Sequence, residues 1–191
     1  MKPLIYYRIK GLFKNIGKEW DKLSPEQEEA IEFAQKFINS EPIKNVDAFT
    51  YSWEYVLAHF GEMVNEHYRK GELDESDIAI ADMIENHSTK RPITVYRGTC
   101  GYILNQMIRN AKDIKGVDLM DKAFLQSSLV KGAEINSGIK LRIYMPTGTK
   151  AVYLGNVNDE QFYYEVVLQR ATKLKIISID SEYINCKVIE N

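Results

Sequence analysis

The texture of the chain changes at Pro92: before it, apolar residues recur at helical spacing, and after it short β-branched and aromatic runs alternate with turn signals. In the first half, "LSPEQEEAIEFAQKFI" offers Ser24 as an N-cap, Pro25 at the first helical position and Gln27 to close a capping box. Ala30, Phe33, Ala34 and Phe37 follow as one buried stripe, which predicts a helix from about 25 to 39. "VDAFTYSWEYVLAHFGEMVNEHYRKG" predicts one long or kinked helix closed by Gly71, and "DESDIAIADMIENH" a shorter one capped by Asp74. Beyond Pro92, "ITVYRGT", "KAFLQSSL", "IKLRIYM", "KAVYL", "YYEVVL", "LKIISID" and "EYINCKVI" predict strands, interrupted by one helix, "GYILNQMIRNAKDI". Helices first and strands afterwards predict an α+β fold rather than a parallel βαβ one.

A length of 191 residues fits one domain that buries its own core without disulfides or a structural metal. The expected organisation is a single domain over 1–191, with a helical lobe over about 1–90 and a β-rich core over about 91–191. A net charge of −2 argues against a generic nucleic-acid binder, which needs a concentrated basic surface. Cys100 and Cys186 have no paired metal spacing, and His59, His67 and His87 lack a second ligand at a convincing spacing, so no metal is expected. The N-terminal stretch "MKPLIYYRIKGLFKNIGKEW" alternates apolar and basic residues without the apolar core and small-residue cleavage site of a signal peptide. It reads as a short amphipathic helix that packs on the domain or touches a membrane surface. No run approaches the roughly 20 apolar residues of a membrane span.

Three strands carry candidate chemistry. "VYRGT" ends a strand with Arg97, either a solvated charge or a fork for phosphate or carboxylate, followed by Gly98, where a backbone can approach a ligand closely. "KAFLQSSL" presents Gln126, Ser127 and Ser128. No histidine and aspartate accompany these serines as a nucleophile's partners, but their hydroxyls are able to orient a carboxylate. In "YYEVVL", strand alternation sends Tyr163, Glu165 and Val167 to one face and Tyr164, Val166 and Leu168 to the other. Glu165 is then either an exposed strand-end charge or a carboxylate facing a cleft, where it needs a partner.

In this order, an arginine strand, a serine strand and a glutamate strand, the chain resembles the arginine–serine–glutamate class of mono-ADP-ribosyltransferases. That family includes Rho-modifying clostridial exoenzymes, the enzymatic parts of binary actin toxins and bacteriophage host-modifying enzymes. "VYRG" is similar to its arginine motif, "AFLQSSL" to its F-x-S-T-S strand, "LRIYMPTGTKAVYLG" to the strand pair that follows, "YYEVVLQRATKLKIISI" to the glutamate strand and its successor, and "NEHYRKG" to its helical N-x-x-L-R-K-G. The resemblance covers about residues 24–180.

The resemblance implies a helical lobe packed on a two-sheet mixed or antiparallel β core, with NAD as co-substrate and no metal. Arg97 would bind NAD phosphate and Gly98 the carboxamide through its main chain, while Asn65 and Arg69 would hold the adenosine and pyrophosphate side. Glu165 would accept a hydrogen bond from the ribose 2′-hydroxyl and stabilise positive charge at the anomeric carbon as nicotinamide leaves. Gln126, Ser127 or Ser128 would hydrogen-bond Glu165.

Three positions depart from the family. Tyr163 stands where relatives have Glu or Gln to engage the acceptor, Gln126 replaces the first serine, and "VKGAEINSGIK" lacks the aromatic that covers nicotinamide in relatives. Phe162 and Tyr163 are therefore read as acceptor-recognising aromatics, and Glu160 as a carboxylate able to reach inward if its loop folds back. The implied activity is transfer of ADP-ribose to a macromolecular acceptor, protein rather than nucleic acid, by a monomer acting in a host or target cytoplasm after injection or secretion. An NAD glycohydrolase and an inactive binding module of the same fold are the competing readings.

Overall fold

The computed structural model describes residues 6–9, 15–39, 52–155 and 161–189. Glu160 and the front of the predicted long helix, before residue 52, lie outside the described residues. Residues 6–9 are helical, and the helices that follow are α1 (Ile16–Asp21), α2 (Ala30–Phe37), α3 (Trp53–Lys70), α4 (Glu75–Glu85) and α5 (Gly101–Ala111). The strands are β1 (Ile93–Thr99), β2 (Leu119–Met120), β3 (Leu125–Ser128), β4 (Ile139–Met145), β5 (Ala151–Tyr153), β6 (Glu165–Leu168), β7 (Lys173–Ile179) and β8 (Ile184–Val188).

Local chemistry sets the limits of α3 and α4. The Ser52 hydroxyl accepts the Tyr55 N–H at 3.1 Å to start α3, and Gly71, at φ 78°, ends it by donating to His67. Asp74 and Asp77 cap α4 reciprocally, as the sequence predicts for Asp74. Ser24 differs from expectation. Its hydroxyl bonds the Asp21 carbonyl and the Tyr96 phenol, both at 2.9 Å, so it is drawn toward β1 and caps no helix. A 3-10 turn over Gln27–Glu29 opens the segment, and α2 begins only at Ala30.

The strands form one ladder in the order β2-β7-β8-β4-β1-β3-β6-β5, antiparallel throughout except between β4 and β8. The α+β class stands, but the two expected sheets are joined. β1 pairs with β4 from Ile93↔Met145 to Thr99↔Ile139, yet meets β3 only at Tyr96↔Ser128, so this seam links two sub-sheets. β3 and β4 lie on opposite sides of β1, so the chain between them, residues 129–138, must cross the end of β1 near Thr99.

Two apolar clusters hold the layers together. Ala30, Ala34 and Ile38 pack with Met107 of α5 and with Val95, Leu141, Ile143, Val166 and Leu168 of the sheet. Leu57, Val64 and Tyr68 of α3 join Ile80 and Ile84 of α4 over Phe124, Val152, Leu154 and Val167. Each fully buried Val, Leu, Ile, Phe or Met among them contributes about 1.5–3 kcal/mol relative to leaving it exposed. Successive residues of β6 thus feed both clusters, which fixes that strand firmly beneath α3.

Candidate functional site

The ends of β1, β3 and β6, three neighbouring strands, floor a cleft of about 530 Å3. Residues of α3 (Ala58, His59, Gly61, Glu62, Asn65, Arg69) and of the crossing connection (Ala133, Glu134, Ile135) also line it. The stripe Leu57, Gly61, Val64, Asn65 and Tyr68 buries one face of α3 at helical spacing, which lays Asn65 against the strand ends. Of the residues singled out in the sequence, Asn65, Arg69, Arg97, Gly98, Gln126, Ser127, Ser128, Tyr163 and Glu165 all line this cleft.

Arg97 is 8% exposed. One of its terminal nitrogens donates to the Gln126 carbonyl at 2.6 Å, while its Nε is buried with no hydrogen-bond partner. Burial pulls the guanidinium below its ordinary pKa; Asp121 and Glu165 oppose that and Arg69 adds to it. A guanidinium keeps its proton in proteins, so Arg97 is a desolvated cation with an unsatisfied donor.

Arg69 is fixed as a fork on buried Asp121, Nε to Oδ1 at 3.1 Å and Nη2 to Oδ2 at 2.7 Å. Asp121 also accepts the Ala123 N–H, so it is held from the sheet side. Asn65 is held twice: its Oδ1 accepts the Phe124 N–H at 3.0 Å and its amide donates to Gln126 Oε1 at 3.3 Å. Gly61 leaves room for that glutamine, since a Cβ there would lie 2.6 Å from Gln126 Nε2.

The two serines bond backbone. Ser127 donates to the Val166 carbonyl at 2.7 Å, and Ser128 donates to Val130 O and accepts from Val130 N. They tie β3 to β6 and open the crossing connection. Gly98 is required for packing as well, because a Cβ on it would sit 1.6 Å from the Ile135 carbonyl oxygen.

Tyr163 reaches the cleft by a route that alternation does not predict. It lies in a 3-10 turn, Gln161–Tyr163, and Tyr164 follows at φ 45°, so the regular strand begins only at Glu165. Positive φ is uncommon for a bulky residue. It re-aims the chain so that Tyr163 and Glu165 both face the cleft. Phe162 is 66% exposed and edge-packed on Tyr163, outside the cleft lining.

Sequence reasoning missed Asp121, Glu134, Ile135 and His59. Asp121, Glu134 and Ile135 are brought to the site by partners distant in sequence, and His59, whose ring stacks on Tyr55 within α3, by the placement of that helix; no local motif marks them. Among the described residues one group of three potential metal ligands converges, His67, Asp74 and Asp77, and both of its aspartates serve the α4 capping box.

A family model described as ADP-ribosyltransferase exoenzyme matches residues 57–189, which include every cleft residue. No curated protein matches the sequence. Among solved structures, Plx2a, an ADP-ribosyltransferase toxin from Paenibacillus larvae, is 18% identical, with a TM-score of 0.60 over 97% of this chain and 98% of its own. The Clostridium limosum C3 exoenzyme, also 18% identical, gives 0.63 over 86% of this chain and 95% of its own. C3stau2 from S. aureus, solved with NAD, is 18% identical and gives 0.57 over 93% and 97%. These likenesses identify the fold.

Proposed function

The chain belongs to the ADP-ribosyltransferase exoenzyme family, whose toxins use NAD as co-substrate, and we propose that it acts as one domain that cleaves NAD and transfers ADP-ribose to a macromolecular acceptor with release of nicotinamide. The observation that carries this reading is the buried, unpartnered Nε of Arg97 in a cleft that also holds Glu165, with β3 between their strands. A desolvated guanidinium donor asks for an anionic oxygen, and a dinucleotide's phosphates supply one.

In this reading Arg97 clamps phosphate and Arg69, preset by Asp121, adds a second cation from α3. Asn65 and Gln126 form a linked amide pair along the nucleotide, and Gly98 offers backbone where no side chain fits. NAD supplies the glycosidic bond and the leaving group. Glu165, fixed at the first position of β6, stabilises the positive charge that grows at the anomeric carbon, as a preorganised carboxylate does without reorganisation. Ser127 and Ser128 act through the β3–β6 geometry that presents Glu165. Tyr163, with Phe162 beside it, meets the acceptor, which is a protein rather than a nucleic acid given the net charge of −2. The site of action is a host or target cell's cytoplasm; no described helix is long and apolar enough to cross a membrane.

NAD hydrolysis is the second reading, favoured by Tyr163 itself: a phenol is a weak general base at neutral pH, so water replaces a poorly activated acceptor. Labelled NAD incubated with the protein and candidate cell lysates, beside Glu165→Gln, separates the two. Glu165-dependent label on protein supports the transferase, and free ADP-ribose alone supports the hydrolase. Intact NAD under all conditions sinks both.

A further inference from the structure

The connection from β3 to β4 has to cross the end of β1, and it does so directly over Gly98, with the Ile135 carbonyl where a side chain would otherwise be. A ten-residue crossing of this kind is ordinarily a loose surface loop. Here a single carboxylate ties it down. The Glu134 side chain is fully buried. Its Oε2 accepts the Gly132 N–H at 2.8 Å, within the loop. Its Oε1 accepts the Tyr183 hydroxyl at 2.7 Å and pairs with Lys140 Nζ at 2.9 Å, on the turn before β8 and at the start of β4. The carboxylate therefore bolts the loop to two other parts of the sheet, and the same residue lines the cleft.

We infer that Glu134 is a positioning residue, which holds the 131–137 segment as a fixed wall over Gly98 and so sets how NAD seats against Arg97. The inference takes its substrate from the transferase reading; the fixing of the wall stands apart from it. No motif assigns Glu134 a role, and its bonds direct its charge away from direct chemistry. Burial alone would raise its pKa, but the Lys140 and Tyr183 hydrogen bonds outweigh this and keep it ionised. An anion so committed is a poor base and a good anchor. Ile135, 63% exposed beside it, is thereby presented at the cleft rim without collapsing inward.

The test compares wild type, Glu134→Ala, Tyr183→Phe and the double variant, each first shown to be folded by its thermal transition. Initial rates of nicotinamide release as a function of NAD concentration give KM and kcat. The expected result is a KM about tenfold higher in Glu134→Ala with kcat within about twofold, because misplacing a wall disturbs seating more than the reacting carboxylate. Tyr183→Phe raises KM less and adds nothing in the Glu134→Ala background, since the one bond to Glu134 that it removes is already lost there with the other two. Amide exchange of residues 131–137 accelerates in both single variants while β1 and β4 amides hold. Unchanged exchange in both single variants overturns the inference, as does faster exchange with a wild-type KM. Should the wild type leave NAD intact, the transferase reading falls, and the exchange arm still decides whether Glu134 fixes the wall.

Discussion

Arg97 shows how tertiary structure changes the state of a strand-end arginine. On a strand end an arginine is commonly solvated; here β3 and α3 enclose it, and its Nε is left without a partner. Replacing it with Lys keeps the charge and removes the planar fork, so Arg97→Lys is expected to weaken NAD binding by at least about tenfold, measured as KM for nicotinamide release. Arg97, Glu165, Asn65 and Arg69 were legible in the sequence because motif order and helical or strand periodicity locate them. Asp121 was not, since its role is to meet Arg69 from 52 residues away. Tyr163 was half legible. Strand alternation puts it on the face of Glu165, and it does line the cleft, but through a 3-10 turn and a φ of 45° at Tyr164 rather than as part of a regular strand.

At the scale of elements, the helix ends at Gly71 and Asp74 could be read directly, because a left-handed cap and a capping box are local chemistry. Ser24 carried the same signal and failed, for its hydroxyl is engaged by Tyr96 on a distant strand. β2 escaped notice because two residues, Leu119–Met120, show no period. The crossing of β1 by residues 129–138 is likewise a property of strand order rather than of any segment. It carries a prediction about Gly98. Gly98→Ala places a methyl 1.6 Å from the Ile135 carbonyl oxygen, a backbone atom with no rotamer to yield, so the wall must move. The expected cost is about 1–3 kcal/mol in denaturant unfolding, with a raised KM for NAD. A variant as stable as wild type with unchanged KM would show that the crossing yields freely.

The molecule as a whole is a ladder pinched at Tyr96↔Ser128 and braced elsewhere by charge. Arg142, 3% exposed, bonds Asp21 at 2.7 Å, Asp180 at 2.6 Å and Asn185 at 2.6 Å, which joins α1 to the β7–β8 turn through β4. Burial alone would raise both aspartates. Hydrogen bonds from Lys131, Tyr96 and Arg142 hold Asp21 below its ordinary 3.8, and those from Tyr183, Asn185 and Arg142 do the same for Asp180. A carboxylate whose pKa is lower folded than unfolded adds stability above the unfolded value and loses it as pH falls through the folded one. The thermal midpoint should therefore drop below about pH 4, and Asp21→Asn should flatten part of that drop while lowering the midpoint at pH 7. An identical acid limb in the variant would show that Asp21 does not contribute to the loss of stability in acid.

The two sub-sheets, the helical layer and the crossing loop converge on a cleft in which a buried arginine and a glutamate flank one strand. The most direct measurement of what that arrangement does is the rate of nicotinamide release from saturating NAD by wild type and by Glu165→Gln. The expected result is a fall of about 100-fold or more in kcat, with KM changed little, because the amide keeps the shape and loses the charge. A Glu165→Gln enzyme that releases nicotinamide at the wild-type rate would contradict it.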